Sequence, residues 1–515
     1  MELDFNETDK PEPETVTRKG KRSSVSGPFV CAWVLISLVL CAVIGGLLYV
    51  IFQKEAECND RAEGSRTTLV QGRNETTVEG MRGPIVDYNE SDVTTLCPPE
   101  GGACSSRPAL STLELRTLNQ TSLNLPNLPR VIYPYHYDLE LFPDFYGSVE
   151  DMAADGKVSI YFTVLDKTAA ITVNVLELDI DEDSVRLDPV APSNDGPGVR
   201  GISYKNQSQL LVIQLDTEIP PLGRYKIQIK YRAPVDFGPH GIYAYSYVDA
   251  EGKISKTATT YFNDGFARRA FPCFDEPSFK TTFNLTLLWR ASEKFSTWSN
   301  TEIWYQEPRQ NGILADVYQR TPKMSTCDLA FTVGNYAYLQ NITSAGVKFR
   351  TVARPDELPR VQLLHKHGSA VFDWFENTFD PPYPLSKYDN VVVRNVKHVV
   401  VEHWGSTTLR GTSVYTEEGR IAEQRLARLT AQGVSQQWFG DLVTPAGEEW
   451  AWLSKGIATF LDSYALAQIY PEWREMEMFV ARVHSSMRVD VDITRPVSIT
   501  PDKDDQMTKE KVDTQ

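Results

Sequence analysis

Two glutamines in the segment 431–456 occupy positions at which other residue types would bind a metal. Gln432 and Gln436 lie four residues apart in a pattern that predicts a helix, so both side chains would lie on one face. Two histidines at this spacing bind one zinc ion, and a glutamate after the first takes a proton from zinc-bound water. Here the glutamate position is Gly433, and amides are poor zinc ligands beside imidazole or carboxylate. The spacing is that of a zinc hydrolase, whereas the side chains do not supply its chemistry.

The surrounding sequence resembles the zinc aminopeptidase family of aminopeptidase N, in collinear order over about residues 126–500. Four specific strings carry the resemblance: ARRAFPCFDEP at 267–277, EHWG at 402–405, QQWFGDLVT at 436–444 and WLSKGIATF at 452–460. The chain also resembles the nematode matrix non-peptidase homologues. The resemblance implies a β-rich domain followed by a thermolysin-like domain, which in active members holds one zinc ion.

The family's catalytic motif can be followed position by position. Its H-E-x-x-H-Q-W-F-G string falls on 432–440, where the first histidine, the glutamate and the second histidine become Gln432, Gly433 and Gln436. The third ligand, a glutamate nineteen positions after the second histidine, becomes Lys455. An ammonium group at this position would repel a dication by roughly several kcal/mol at low effective dielectric. We therefore expect no zinc cofactor and no aminopeptidase activity.

Two interpretations of the replaced positions are open. Gln432 and Gln436 could be buried polar residues that hydrogen-bond to each other or to water. Alternatively, the Lys455 ammonium could fill the place of the metal charge and pair with Glu402. A structure that places the Lys455 nitrogen well beyond ~6 Å from Glu402 would exclude the second interpretation.

The substrate-binding loop of the family is also altered. Glu402 is retained at the position that, in the family, binds the free α-amino group of the substrate. Val399 and Val400 add bulk before it, and Tyr261 replaces a residue that lines the family's pocket for the first substrate side chain. The candidate peptide-binding residues are therefore Glu402, His403 and Tyr261.

The N-terminal part predicts a membrane anchor. Residues 29–52 carry no charge, and as a helix they would span roughly 36 Å, enough for the ~30 Å hydrocarbon core. Basic residues precede this segment and mainly acidic residues follow it, so the short N-terminus is expected in the cytoplasm. A cleaved signal peptide is the alternative. We expect a type II single-pass protein with an extracellular C-terminal part, and a net charge of −16 argues against a nucleic-acid partner.

Sites of extracellular modification agree with this orientation. Acceptor triplets for N-glycosylation beyond the predicted anchor begin at Asn74, Asn89, Asn119, Asn206, Asn284 and Asn341. Among the cysteines that would be extracellular, Cys97 and Cys104 could close a small disulfide loop. These features are typical of a glycoprotein displayed on the cell surface.

The pattern along the chain predicts a multidomain α+β protein. We assign a cytoplasmic tail at 1–28, a transmembrane helix at 29–52, an extracellular stalk or linker at 53–125, an antiparallel β-rich domain at 126–338 and a partial thermolysin-like, mainly helical domain at 339–515. In the family the catalytic domain continues with the tyrosine that stabilises the oxyanion. Because residue 515 comes before that segment, we expect an apolar surface open on one side of this domain.

These observations lead to one preferred function and two alternatives. We expect a catalytically inactive homologue that acts as an extracellular, membrane-anchored scaffold for binding or adhesion, with a role in cell migration or morphogenesis. Its partner would be an extracellular protein or peptide. The first alternative is a regulator of active aminopeptidases or a receptor that captures peptides through Glu402. The second is a metalloaminopeptidase with unconventional ligands.

Overall fold

The computed structural model describes residues 128–492, with gaps at 148–151, 191–195, 250–251, 395, 416–418, 446 and 448–449. The predicted tail, transmembrane helix and stalk lie outside the described residues, and so do Cys97 and Cys104. Among the helices of the described part, none is long and apolar enough to cross a membrane. The anchor at 29–52 therefore stays a prediction.

Strands make up the first part of the described chain. They are β1 (Ile132–Asp144), β2 (Ala153–Val164), β3 (Thr168–Asn174), β4 (Asp179–Pro189), β5 (Val199–Lys205), β6 (Leu210–Ile219), β7 (Arg224–Asp236), β8 (Gly241–Val248), β9 (Ile254–Tyr261), β10 (Thr282–Arg290), β11 (Ser296–Ser299), β12 (Ile303–Pro308), β13 (Ile313–Tyr318) and β14 (Phe331–Gly334). The alternation seen in the sequence sets their buried faces. In β7, Ile227 and Ile229 point to one face and are fully buried, whereas Lys230 belongs to the opposite face and is exposed.

Most of these strands join one mixed sheet of eleven strands. Its order is β11-β14-β9-β8-β7-β2-β1-β10-β13-β12, with β4 also paired to β7, while β3, β6 and β5 form a smaller sheet. The prediction of an antiparallel domain is wrong at two places, because β1 pairs with β10 and β7 pairs with β8 in parallel. Leu139 of β1 lies opposite Leu285 of β10, more than a hundred residues further along the chain. The alternation within a strand fixes its buried face, but not the direction of a partner reached through so long a crossover.

The second part combines a sheet with helices. Its strands are β15 (Ala337–Ile342), β16 (Lys348–Ala353), β17 (Lys387–Val393), β18 (Val400–His403) and β19 (Ser406–Arg410), in the order β15-β16-β17-β19-β18. Its helices are α1 (Gln362–Thr378), α2 (Gly411–Val414), α3 (Arg420–Gln436), α4 (Ala451–Ile469) and α5 (Glu475–Asp492). The predicted sequence of a β-rich part followed by a mainly helical part is confirmed. The boundary lies slightly before the predicted residue 339, since β15 already belongs to the second sheet.

A buried group of three charges joins the two parts of the chain. Lys387 at the start of β17 is fully buried, and its Nζ donates to Asp389 Oδ2 (2.7 Å), to the Gly405 carbonyl (2.9 Å) and to the Ser299 carbonyl. Arg350 on β16 makes two hydrogen bonds to the same carboxylate, of 2.6 and 2.9 Å. Burial lowers the pKa of Lys387 to about 8, against the attraction of Asp389. Because Ser299 ends β11, this ammonium group ties the second sheet to an edge of the first.

Neutralising the shared carboxylate should weaken the whole fold. We predict that Asp389→Asn lowers the free energy of unfolding by about 3–5 kcal/mol, because two buried cations lose their counterion. Urea titrations followed by circular dichroism measure this loss. Asp356→Asn is the matched control, since Asp356 pairs with Arg354 closer to the surface, and we expect it to cost less than about 1 kcal/mol. Equal losses in the two variants would contradict the role assigned to Asp389.

Candidate functional site

The two glutamines of the altered motif lie at the end of α3 in different environments. Gln432 is exposed, whereas Gln436 is buried. The Gln436 Nε2 donates to the backbone carbonyl of Gln432 over 3.0 Å, one turn earlier in the helix. The interpretation of two buried side chains bonded to each other is therefore wrong, because only one of them is buried and its amide bonds to the backbone.

The position of the family's catalytic base is closed by a neighbouring strand. Gly433 lies against Thr407 of β19, and a Cβ added at Gly433 would lie 2.7 Å from the Thr407 Cγ2 and 2.8 Å from its Oγ1. Thr407 is fully buried, and its hydroxyl accepts a hydrogen bond of 2.7 Å from the Tyr388 hydroxyl. Glycine allows α3 to approach the sheet this closely. A glutamate at position 433 would have to displace Thr407.

Lys455 of α4 lies where the sequence places the third ligand of the family. Its Nζ contacts the Glu402 carboxylate on β18 and donates a hydrogen bond of 2.6 Å to the Gln436 Oε1. The predicted pairing of Lys455 with Glu402 is confirmed. The pair is asymmetric, since the Lys455 side chain is 54% exposed and the Glu402 side chain only 12%. Lys455 therefore compensates a largely desolvated carboxylate from the solvent side.

These residues do not fit a zinc ion. The site offers one carboxylate and one buried amide oxygen, and the Lys455 ammonium already binds both groups. Zinc is held by imidazole, thiolate or carboxylate groups, and a cation at the centre of the site opposes a second cation. In the part of the chain that the structure describes, no group of three His, Cys, Asp or Glu side chains is arranged to hold a metal.

The hairpin that carries Glu402 is held by a third glutamine, which sequence reasoning missed. Gln437 Nε2 donates to the His403 carbonyl (3.0 Å), and its Oε1 accepts from the Gly405 backbone nitrogen (2.8 Å). His403 itself is fully buried, and burial lowers its pKa to about 4, so the imidazole is neutral. The prediction of His403 as a peptide-binding residue is wrong in geometry, because burial alternates along β18 and places the His403 ring in the interior, whereas Glu402 lies on the other face beside Lys455. We call the place where Glu402, Gln436 and Lys455 meet the groove.

Tyr261, the other candidate peptide-binding residue, is also buried. Its hydroxyl donates to Asp264 Oδ2 over 2.7 Å, and its ring stacks on His398 with the centroids 4.4 Å apart. Burial raises the pKa of Tyr261, and the Asp264 carboxylate raises it further. The side chain is 6% exposed, so it contributes a wall to the region beside β18 rather than a free hydroxyl.

A pair of buried carboxyl groups lies close to this site and was not predicted. Asp441 follows α3 in a π-helical turn, and Asp328 lies before β14; both are buried, and their carboxyl groups interact electrostatically. Burial raises the pKa of Asp328 to about 6, and burial together with the Asp328 charge raises the pKa of Asp441. Lys280 donates to the Asp441 carbonyl over 2.9 Å. The only signal in the sequence was an aspartate within each of two otherwise apolar strings.

The glycosylation triplets fall partly within the described residues. Asn206 and Asn341 are exposed, whereas Asn284 is half-buried and donates its amide to Asp138 over 2.8 Å. The triplets at Asn74, Asn89 and Asn119 lie outside the described residues. Glycosylation at all six positions stays a prediction.

Comparison with known proteins finds matches for both parts of the described chain. Residues 133–327 match the Peptidase M1 N-terminal domain and residues 365–511 match the Peptidase family M1 domain. Aminopeptidase M1 of Arabidopsis thaliana is 30% identical over 379 residues, which are 73% of this chain and 42% of that protein. Endoplasmic reticulum aminopeptidase 1 of Rattus norvegicus is 28% identical over 396 residues, 76% of this chain and 41% of that protein. The chain thus spans about two fifths of the length of these curated relatives.

The buried acidic pair makes stability depend on pH. A carboxyl group whose pKa is raised by folding stabilises the protein at low pH, and this contribution is lost as the pH rises from the unfolded pKa of 3.8 to the folded pKa, which is about 6 for Asp328 and is also raised for Asp441. We predict that Asp441→Asn raises the free energy of unfolding by about 1–3 kcal/mol near pH 8 and by much less near pH 5. Urea titrations at both pH values measure the difference. The exposed Asp155→Asn is the control, and a gain independent of pH would contradict the raised pKa of Asp441.

Proposed function

This chain belongs to the aminopeptidase N family, peptidase family M1, and we propose that it is a member without aminopeptidase activity that serves as a membrane-anchored binding protein outside the cell. The observation that carries this proposal is the contact of Lys455 with both Glu402 and Gln436. An ammonium group takes the place of the positive charge that a metal ion would supply. The Glu402 carboxylate thus has a counterion within the chain and needs no metal ion to balance its charge.

Three further features support the absence of hydrolysis. The exposed Gln432 supplies an amide where the family has an imidazole. Gly433 has no side chain to take a proton from water, and Thr407 fills the space beside it. The third position carries a positive charge instead of a negative one, so it opposes zinc, and without zinc no metal-bound water is activated. Each step of a metal-assisted hydrolysis therefore lacks its residue.

The binding role is supported by what the chain keeps rather than by what it has lost. The fold of the family is retained across both sheets, and the hairpin of Glu402 is held by Gln437 through two hydrogen bonds. The uncharged segment at 29–52 and the acceptor triplets at the exposed Asn206 and Asn341 favour display outside the cell. A displayed, noncatalytic surface would serve adhesion, cell migration or morphogenesis through an extracellular partner.

The exposure of Lys455 favours one second function, peptide capture. Glu402 corresponds to the residue that binds a substrate α-amino group in the family, and Lys455 presents the same chemical group, a primary ammonium, to it. Because the Lys455 side chain is 54% exposed, the ammonium of a peptide N-terminus can compete with it for Glu402. In this candidate function Lys455 is an internal competitor that sets the affinity for peptides.

Metal content tests the main proposal. We predict that the purified full chain contains no stoichiometric zinc after dialysis and releases no N-terminal residue from peptides. Elemental analysis and a peptide-hydrolysis assay measure both. The positive control is the triple variant Gln432→His, Gln436→His and Lys455→Glu, which restores two imidazoles and a carboxylate at zinc-binding spacing and should retain zinc. Stoichiometric zinc in the unmodified chain, together with hydrolysis that a chelator abolishes, would overturn the proposal.

Peptide capture has its own test. We predict that Lys455→Met binds peptides with a free N-terminus about tenfold more tightly than the unmodified chain, because the Glu402 carboxylate becomes available for a charged hydrogen bond. Isothermal titration calorimetry measures the change, and the same peptides with an acetylated N-terminus are the control. If Lys455→Met leaves the two peptide forms indistinguishable, or if Glu402→Ala binds them as well as Lys455→Met does, Glu402 does not capture peptides.

A further inference from the structure

Basic side chains gather at one edge of the second sheet. The parallel strands β16, β17 and β19 end side by side, and the residues at these ends are Arg354, Arg394 and Arg410. Lys397 follows β17 and is exposed. The carboxyl ends of neighbouring parallel strands lie at one edge of a sheet and commonly form ligand sites in open α/β folds. Arg354 is paired with Asp356 and Glu357, whereas Arg410 and Lys397 have no carboxylate partner among the described residues.

Three arginines, which are Arg360, Arg410 and Arg425, contact the short segment 411–415 that follows β19. Arg410 Nε donates to the Ser413 hydroxyl (3.0 Å), and Arg425 of α3 donates to the Ser413 carbonyl (2.8 Å). Arg360 donates to the Tyr415 carbonyl (3.1 Å), and its guanidinium carbon lies 4.7 Å from the centre of the Tyr415 ring. Arg410 also donates to the Lys397 carbonyl over 3.1 Å. These contacts are to neutral acceptors, so they hold the guanidinium groups together without neutralising them.

We call the set formed by Arg360, Arg394, Lys397, Arg410 and Arg425 the cationic surface. Within the described ranges, Arg360, Lys397, Arg410 and Arg425 make no ion pair, and Arg394 reaches only Glu357, over 3.5 Å. Glu357 is buried and also pairs with Arg354. Unpaired cations held this close repel one another, and the chain as a whole carries a net charge of −16. A concentrated positive surface on an acidic protein is a binding feature rather than a consequence of composition.

A neighbouring histidine reports the potential of this surface. His398 directly follows Lys397, and its pKa is lowered first by burial and then by the charges of Lys397 and Arg410, while Asp264 opposes them. The positive charge is thus felt by a side chain outside the set. An anion bound at the cationic surface would cancel that effect and raise the pKa of His398.

We propose that the cationic surface binds a sulfated polysaccharide. Five cations on several elements form a surface rather than a pocket for one small anion, so the fitting ligand carries many regularly spaced negative groups. Guanidinium groups match sulfate and phosphate oxygens with paired hydrogen bonds, and the free N–H groups of Arg394, Arg410 and Arg425 supply them. The extracellular placement expected from the sequence selects a sulfated polysaccharide over a nucleic acid. The residues of this surface differ from Glu402, Gln436 and Lys455, so the inference does not depend on peptide capture; it rests on the extracellular placement proposed above.

Heparin is the probe for the test. We expect the full chain to bind immobilised heparin at about 150 mM NaCl, with an affinity that falls steeply as salt rises. The double variant Arg410→Gln and Arg425→Gln should bind roughly tenfold or more weakly and lower the slope of log affinity against log salt by about two. The matched control is Arg232→Gln with Arg309→Gln, two exposed arginines that each have a carboxylate partner. The control should bind like the unmodified chain.

Two further arms separate the outcomes. Desulfated heparin should not bind, and anionic phospholipid vesicles should bind far more weakly than heparin. Modification of arginines by phenylglyoxal, read by mass spectrometry on the unmodified chain, should be blocked by heparin at Arg360, Arg410 and Arg425 but not at Arg232. This readout holds even if the double variant does not fold. Absence of heparin binding, equal binding of desulfated heparin, preference for vesicles or protection of Arg232 alone would each overturn the proposal.

Discussion

The geometry of the groove depends on one buried ammonium group. Lys387 binds acceptors from β11, from β17 and from the turn after β18, and since a buried ammonium needs a partner for every proton, these three backbone segments cannot move apart independently. Gly405 in that turn has a φ of +85°, and a Cβ there would lie 2.2 Å from the Asn300 carbonyl oxygen. The turn is therefore fixed from two sides. Glu402, three residues earlier, is presented to Lys455 by this arrangement and requires no metal to be held there.

The same scaffold explains how zinc ligands can change without loss of the fold. The contacts that position the groove are made by Lys387, by Gln437 and by backbone groups, none of which would be a metal ligand. Without a positive charge nearby, the Glu402 carboxylate would be uncompensated, because its side chain is only 12% exposed and water cannot solvate it fully. Lys455 supplies that charge and also satisfies the buried oxygen of Gln436. A site without zinc ligands thus still needs a positive charge beside Glu402, and the lysine at position 455 supplies it.

The sequence predicts the main helices and strands and the contact of Lys455 with Glu402, but not the partners that buried charges find in distant parts of the chain. The period of the apolar residues located α3 and α4, and the resemblance to the aminopeptidase N family suggested, as one of two interpretations, that Lys455 pairs with Glu402. Lys387 could not be identified as buried, because its three acceptors come from distant parts of the chain and a lysine before an apolar run normally stays at the surface. The Asp328 and Asp441 pair could not be predicted for the same reason, because the pKa of Asp441 is raised partly by Asp328, which is far away in the sequence. Local pattern predicts which face is buried; it does not predict which charge lies across it.

Pairing of charges distinguishes the groove from the cationic surface. In the groove the Glu402 carboxylate is already paired with Lys455, so an outside cation must compete with that ion pair. Among the described residues, Arg360, Arg410 and Arg425 bond to neutral oxygens alone, so no described carboxylate neutralises their charges. An outside anion gains full Coulomb attraction at the second place and must first break an ion pair at the first. For an anionic ligand the cationic surface is therefore the more favourable of these two candidate sites.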